Sequence, residues 1–335
     1  MRNATICARD VLYQKPDTLF VLTTRPSDLN KRNLTRMHSD GTTDFDSDLA
    51  TLLDLVYRIT KERNDPMRAM VLRVGDSSSV EGIGRNFVLS KATDRFAADQ
   101  TVLIPVQMER HFGQVPRVLA FEQSSGLQFY DKRNNCVFRG VSTGNRVNVI
   151  RRIYSLNRLP DEHRDVVGVD VALTKLLQGH ENDPGLRKFL RKPISIEDQL
   201  QNKYLLVLEG NDVATMIKWA LASNSVVLMS PPTKQTVGGE FSLRPFQHYV
   251  PLPPTITAEA LDRALQWCHC HQNQCALIAQ AATRFARERL VDREQLMNEG
   301  ALRMVEYAEN TAVVLRGPST SATVAACENV KWRPF

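Results

Sequence analysis

Hydrophobic positions along the chain follow two rhythms. Leu49, Leu52, Leu53, Val56 and Ile59 recur at helical spacing and predict an amphipathic helix over Leu49–Lys61. Short apolar-rich runs at Met70–Val74, Thr101–Val106, Arg117–Phe121, Cys136–Arg139 and Tyr204–Leu208 predict strands, the last buried on both faces as in a parallel sheet. Two of these strands run into a glycine and then a helix. Cys136–Arg139 leads through Gly140 and the polar loop Ser142-Thr143-Gly144-Asn145 to a helix over Arg146–Leu156. Tyr204–Leu208 leads through Gly210, with Asn211 and Asp212 as N-cap residues, to a helix over Val213–Ala222 whose Val213, Ile217 and Ala220/Leu221 share a face. Further helices are predicted over Glu259–His271, Gln274–Leu290 and Asp292–Tyr307. The alternation is that of an α/β protein with parallel sheets.

A strand–glycine–helix turn leaves the first amides of the helix unpaired at the carboxyl edge of the sheet, where they favour a phosphate. Arg139 and Arg146 bracket the first of the two turns, so the pair suits a diphosphate. The bland alternative stays open at this level, because most such turns in α/β proteins bind nothing and a surface arginine is ordinarily solvated.

The segments VFRGVSTGNR, KYLLVLEGNDVATMIKWALASNSVVLM and PFQHYVPL occur in an order and spacing that resemble family 90 glycosyltransferases. That group includes capsule-associated and lipopolysaccharide core transferases and protein O-glucosyltransferases. The resemblance covers roughly residues 65–300, and GNDVA with KW and SNSVV looks closer to the bacterial and viral branch. It implies a GT-B type fold, two Rossmann-like domains facing a central cleft. It also implies a metal-independent, inverting transfer from a nucleotide sugar, a UDP-sugar with glucose or xylose favoured, to a glycan or glycolipid hydroxyl. No cofactor is then needed. The implied binding residues are Arg139, Gly140, Ser142, Thr143, Gly144, Arg146, Gly210, Asn211, Asp212, Val213, Ala214 and Lys218, with His248 and Tyr249 as candidates to border the sugar or base.

By the same resemblance Asp76, at the end of the Ala69–Val74 strand, is the candidate general base, taking the acceptor's proton as its oxygen attacks the anomeric carbon. Read from the residues alone, Asp76 simply starts the loop Ser77-Ser78-Ser79. The chain departs from the secretory branch at Met216, where those relatives carry an arginine just inside the second helix. The diphosphate charge is then left to Arg139, Lys218, Arg146 and the amides around Val213–Thr215. Met216 also favours the alternative reading, a non-catalytic relative that binds a glycan or anionic polymer.

A chain of 335 residues suits two domains. The expected division is an acceptor domain over 1–125, a nucleotide-sugar domain over 126–290, a helix over 291–315 packing back on the first domain, and a loose tail over 316–335. At 42% apolar and 24% charged the composition is that of a globular protein, and no run approaches the roughly 18 apolar residues of a membrane span. No signal-peptide core opens the sequence, so a cytoplasmic location is expected, with the sequons at Asn3 and Asn33 unused and six free thiols.

The formal charge of +6 permits weak attraction to anionic surfaces, including the cytoplasmic membrane face. Nucleic acid is not expected, since no zinc-finger spacing or aromatic RNA-binding signature is present and aromatics are only 7% of residues. The DFDSD run at Asp44, Asp46 and Asp48 lies before a helix, where Ser47 or Asp48 serves as N-cap rather than metal ligand. Cys268, His271 and Cys275 share a helix face with no second ligand pair at finger spacing, which points to core rather than zinc. GxGxxG and GxxxxGK[ST] are absent, which argues against a dinucleotide oxidoreductase and a P-loop kinase.

Overall fold

The structure, a computed structural model, describes residues 4–7, 19–23, 43–63, 69–73, 88–95, 98, 101–159 and 166–314. The chain divides into two compact units. The first comprises Met1–Met108, Lys234–Val237 and Asp292–Phe335, and the second Glu109–Thr233 and Gly238–Val291. In chain order the elements begin with β1 (Ala4–Cys7), β2 (Leu19–Thr23), α1 (Thr43–Glu62), β3 (Ala69–Arg73), β4 (Val88–Ser90), β5 (Thr93–Asp94), β6 (Thr101–Leu103), α2 (Met108–Phe112) and α3 (Gln114–Ser125). They continue with β7 (Arg133–Val141), α4 (Arg146–Ile153), β8 (Gly168–Lys175), α5 (Ile196–Leu200), β9 (Asn202–Leu206), α6 (Thr215–Leu221) and β10 (Val226–Met229). Last come β11 (Lys234–Gln235), β12 (Val250–Pro251), α7 (Ala258–Cys270), α8 (Gln272–Arg289), α9 (Arg293–Asn310) and β13 (Thr311–Val314).

In the first unit β2, β3, β4 and β6 form a sheet in that order, with β2 antiparallel to β3 and the other pairs parallel. β1 pairs with β13, and β5 with β11. Helix α1 buries Leu49, Leu52, Leu53 and Val56, the stripe read from the sequence. It packs on α9, which therefore belongs to this unit. Gly300 of α9 allows the approach, because a Cβ there would lie 2.6 Å from Cγ of Pro105 and 3.2 Å from Cδ2 of Leu52.

Asp48 is not the N-cap expected of it but lies inside α1, fully buried. Its Oδ2 accepts from the Met108 amide at 2.6 Å and its Oδ1 pairs with Arg293 at 2.7 Å. Among the described residues no group of three or more His, Cys, Asp and Glu side chains is placed to hold a metal ion.

The second unit is a five-stranded, wholly parallel sheet in the order β12-β10-β9-β7-β8. Numbered within the unit this is 2-1-3-4-5, a doubly wound arrangement whose order reverses between β7 and β9. All four residues of β10 are buried, and Tyr204, Leu205 and Leu206 of β9 are fully so, as strands covered on both faces must be. Cys268 and Cys275 lie in this core; burial pushes the Cys136 thiol up to about 12, against the opposing pull of Arg158.

Two expectations fail here. Arg117–Phe121, expected as a strand, lies inside α3, whose buried Val115, Val118 and Glu122 keep helical spacing and whose C-cap, Gly126, has φ +64°. The second unit also starts at Glu109, ahead of the boundary expected at 126. Glu122 of α3 forms a buried ion pair with Lys132 at 2.7 Å, and Lys132 donates to Ser225 at 2.9 Å, so α3 is fixed to the parallel sheet. Both units are α/β, as the GT-B class requires. Among the described residues no helix is long and apolar enough to cross a membrane.

Candidate functional site

The carboxyl ends of β7 and β9 flank the point where strand order reverses, the position at which open α/β sheets present a ligand crevice. Each strand ends in a polar loop, Ser142–Asn145 after β7 and Leu208–Ala214 after β9, and the two loops touch. The Gly144 amide donates to Oδ1 of Asn211 at 3.0 Å. Gly144 has φ +61°, and a Cβ on it would strike the carbonyl oxygen of Gly210. A Cβ on Gly210 would in turn lie 2.9 Å from Oγ1 of Thr143 and 3.3 Å from the Arg146 guanidinium. Gly144 is thus required because its backbone meets that of Gly210, while the space beside Gly210 is filled by the Thr143 and Arg146 side chains.

Arg146, the first residue of α4, joins the loops. Its Nε and Nη2 both donate to the Leu208 carbonyl, at 3.1 and 3.0 Å, and its Nη1 donates to the Val141 carbonyl at 3.3 Å and to Oγ1 of Thr143 at 3.1 Å. All these acceptors are neutral, and no carboxylate pairs with Arg146 among the described residues. Burial pulls its pKa down to about 10, since nothing nearby compensates the loss of water around the cation. A desolvated cation without a counter-ion, at the switch point, creates a strong local demand for an anion.

Other expected site residues are engaged elsewhere. The Arg139 guanidinium is bound to Oδ2 of Asp170 at 2.7 Å, to the Asp170 and Phe138 carbonyls at 2.9 and 3.0 Å, and to the Lys192 carbonyl at 3.3 Å. Its side chain is only 7% exposed, so it fastens β7 to β8 and is not presented to a diphosphate. Lys218 is buried and pairs with Oε1 of Glu240 at 2.8 Å over the ring of Phe112, which removes it from the anion site. Ser142 is buried, donating to the Leu177 carbonyl at 3.0 Å and accepting from the Leu177 amide at 2.7 Å.

The second helix begins at Thr215 rather than Val213. Ala214 is its N-cap, without a side-chain bond, and Oδ1 of Asp212 accepts from the adjacent Val213 amide at 2.6 Å. Val213, Ala214 and Asp212 are buried, and Met216 packs against the apolar core. A Cβ on Gly140 would press on the Phe138 ring at 2.7 Å.

His248 and Tyr249 lie on the amino-terminal side of β12, away from the carboxyl edge. Nδ1 of His248 accepts from the Arg244 amide at 3.0 Å and its ring packs on Phe285, while Tyr249 is fully buried. Asp76 lies outside the described residues. One feature the sequence reading passed over is Glu209, whose Oε1 and Oε2 accept from the amide and hydroxyl of Thr233 at 2.9 and 2.5 Å, tying the β9 loop to the segment after β10. Its only sequence signal is a carboxylate directly before Gly210.

The class is thus a doubly wound α/β protein with a basic, glycine-lined switch point. The family described as glycosyl transferase family 90 matches residues 111–322, well over half of the chain, and the chain belongs to that family.

It is similar to the O-glucosyltransferase LpsA of Dichelobacter nodosus, with 34% identity over 154 residues, 46% of this chain and 41% of that protein. It is also similar to the uncharacterized protein 035R of Invertebrate iridescent virus 3, with 28% identity over 184 residues, 50% of this chain and 16% of that one. The matches thus cover less than half of either relative. Among solved structures it is similar to Anabaena Alr3699/HepE in complex with UDP and glucose, at TM-score 0.42 and 11% identity over 77% of this chain and 76% of that one. A glycosyltransferase from Rickettsia africae is similar at TM-score 0.38 and 11% identity over 83% and 87%. These structural scores carry no weight for the site or its substrate.

Proposed function

We propose that the protein is an inverting glycosyltransferase that moves a sugar, glucose first among candidates, from a UDP-sugar to a hydroxyl of a glycan acceptor. The observation that carries this reading is the buried Arg146 guanidinium, held between two glycine-lined loops at the switch point and lacking a counter-ion among the described residues. A diphosphate there supplies the missing negative charge. As the glycosidic C–O bond breaks, the charge growing on the departing diphosphate is met by Arg146 and by the amides of the Gly144 and Gly210 loops, with no metal ion needed. Family membership and the name of the Dichelobacter relative support glycosyl transfer and favour glucose. The general base is assigned to Asp76 on the sequence resemblance. It takes the proton of the acceptor hydroxyl as that oxygen bonds to the anomeric carbon from the opposite face.

The test is a panel of UDP- and GDP-sugars incubated with the protein in EDTA, scoring release of free nucleotide diphosphate. Release from a single UDP-sugar is expected. No release together with no UDP binding by calorimetry refutes the reading and leaves a non-catalytic relative. Arg146→Ala is expected to weaken UDP binding by about tenfold to a hundredfold, the loss of a charge-assisted contact of roughly 1.5–3 kcal/mol. Asp76→Asn is expected to keep UDP binding and lose transfer; retained turnover removes Asp76 as the base.

A further inference from the structure

The outer edge of β8 and the last turn of α4 carry a cationic surface that the Arg146 loops do not use. Two segments cover that edge. Asn157 and Arg158 bond to Val171 and Val169, and the Arg191 amide donates to the Leu173 carbonyl at 2.9 Å. Around them Arg151, Arg152, Arg187, Lys188, Arg191 and Lys192 are all exposed.

Contacts fix the side chains of Arg151, Lys188 and Arg191. Arg191 pairs with Asp170 and lies 5.7 Å from the ring of Tyr154, the C-cap of α4. Tyr154 meets Phe189 edge-on at 5.0 Å, and the Lys188 ammonium lies 5.1 Å from the Phe189 ring. Arg151 pairs with Asp183 at 3.3 Å. Asp170 and Asp183 are thus already matched to arginines, and Glu181, Glu197 and Asp198 stand outside the Asp183–Lys192 segment. Asp170 and Asp183 offset two of the six cations and leave a surplus of four.

On the same edge Leu159, one residue past the Arg158 bridge to Val169, is 87% exposed, the most exposed of the large apolar side chains described. We propose that this edge is a docking surface for a bilayer bearing anionic lipid headgroups, the cations meeting the headgroups and Leu159 entering the interface. A nucleic-acid partner is disfavoured because the aromatic rings of the cluster are covered, Phe189 at 5% exposure and Tyr154 under Arg191, leaving no stacking platform. An exposed apolar side chain on an edge that also carries exposed lysines and arginines is instead the chemistry of reversible attachment to membrane surfaces.

The experiment is vesicle co-sedimentation of the full chain with phosphatidylcholine alone and with about 30% phosphatidylglycerol, at about 0.1 M and 0.5 M NaCl. Binding is expected only to the anionic vesicles and is expected to fall away at the higher salt. The triple variant Arg152→Glu, Arg187→Glu, Lys188→Glu is expected to lower affinity at least about tenfold, and Leu159→Ser severalfold, with melting temperatures and UDP binding unchanged. Equal binding to neutral vesicles overturns the proposal, as does no binding by the folded wild type. Tighter binding to a single-stranded oligonucleotide than to the anionic vesicles also overturns it, since the surface then serves the other macromolecule.

Discussion

At the scale of single residues, the same side-chain type does different work according to what it meets. Arg139 and Arg146 lie seven positions apart, and the family's arginine-glycine motif favours Arg139 as the phosphate ligand. One ends in a carboxylate and the other in four bonds to neutral oxygens. Among the described residues the second meets no carboxylate, so Arg139→Ala is expected to loosen β7 from β8 rather than to act directly on UDP.

His248 gives a pH prediction. Burial first, and then the nearby Arg244 charge, lower its pKa from the usual value near 6.5, and its Nδ1 must stay unprotonated to accept from the Arg244 amide. In the window from about 6.5 down to the lower folded pKa, the unfolded chain binds the proton and the folded one does not. Stability therefore falls as the pH drops through that window and levels off below it. Melting between about pH 8 and pH 5 is expected to show less loss in His248→Asn, which keeps an acceptor without the titration; an identical pH profile excludes the ring as the cause.

At the scale of elements, two close approaches fix the geometry. Gly144 combines a left-handed φ with a contact that admits no Cβ, so Gly144→Ala is expected to force the β7 and β9 loops apart and to weaken UDP binding by about tenfold or more. Its stability cost is about 1–3 kcal/mol. Calorimetry with UDP beside a urea titration separates the two effects. The Glu122–Lys132 pair, 5% and 0% exposed, is the second fixture, closed further by Ser225 and Asn224. Glu122→Gln leaves the ammonium unpaired in the core and is expected to cost about 3–5 kcal/mol by denaturant unfolding. Replacing both partners by apolar residues of similar size is expected to cost much less.

At the scale of the whole molecule, a ligand that binds only the folded chain stabilises it by mass action. UDP at a hundred times its dissociation constant is expected to add about 2.7 kcal/mol, seen as a higher melting temperature that EDTA leaves unchanged and that Arg146→Ala cuts to about 0.4–1.4 kcal/mol at the same UDP concentration. A shift that requires added divalent cation refutes the metal-independent reading.

The α/β class, the α1 stripe, the helices from Ala258 onward and the two strand–glycine–helix units were all legible in the sequence, because periodicity and glycine turns act over a few residues. The α3 helix was misread because a five-residue apolar window fits either element. The family, too, was readable, since its segments are contiguous. Which loop residues meet was not: the bond from Gly144 to Asn211 and those from Arg146 to Leu208 join positions more than 60 apart and exist only because strand order reverses between β7 and β9. Nor could the sequence show that Lys218 is neutralised by Glu240 or Arg139 by Asp170, because a charged side chain's partner is chosen by the sheet that brings distant segments together. Local sequence determined the elements and the family; the tertiary structure alone decided which cation meets no carboxylate among the described residues, since that depends on packing across the fold and not on neighbours along the chain.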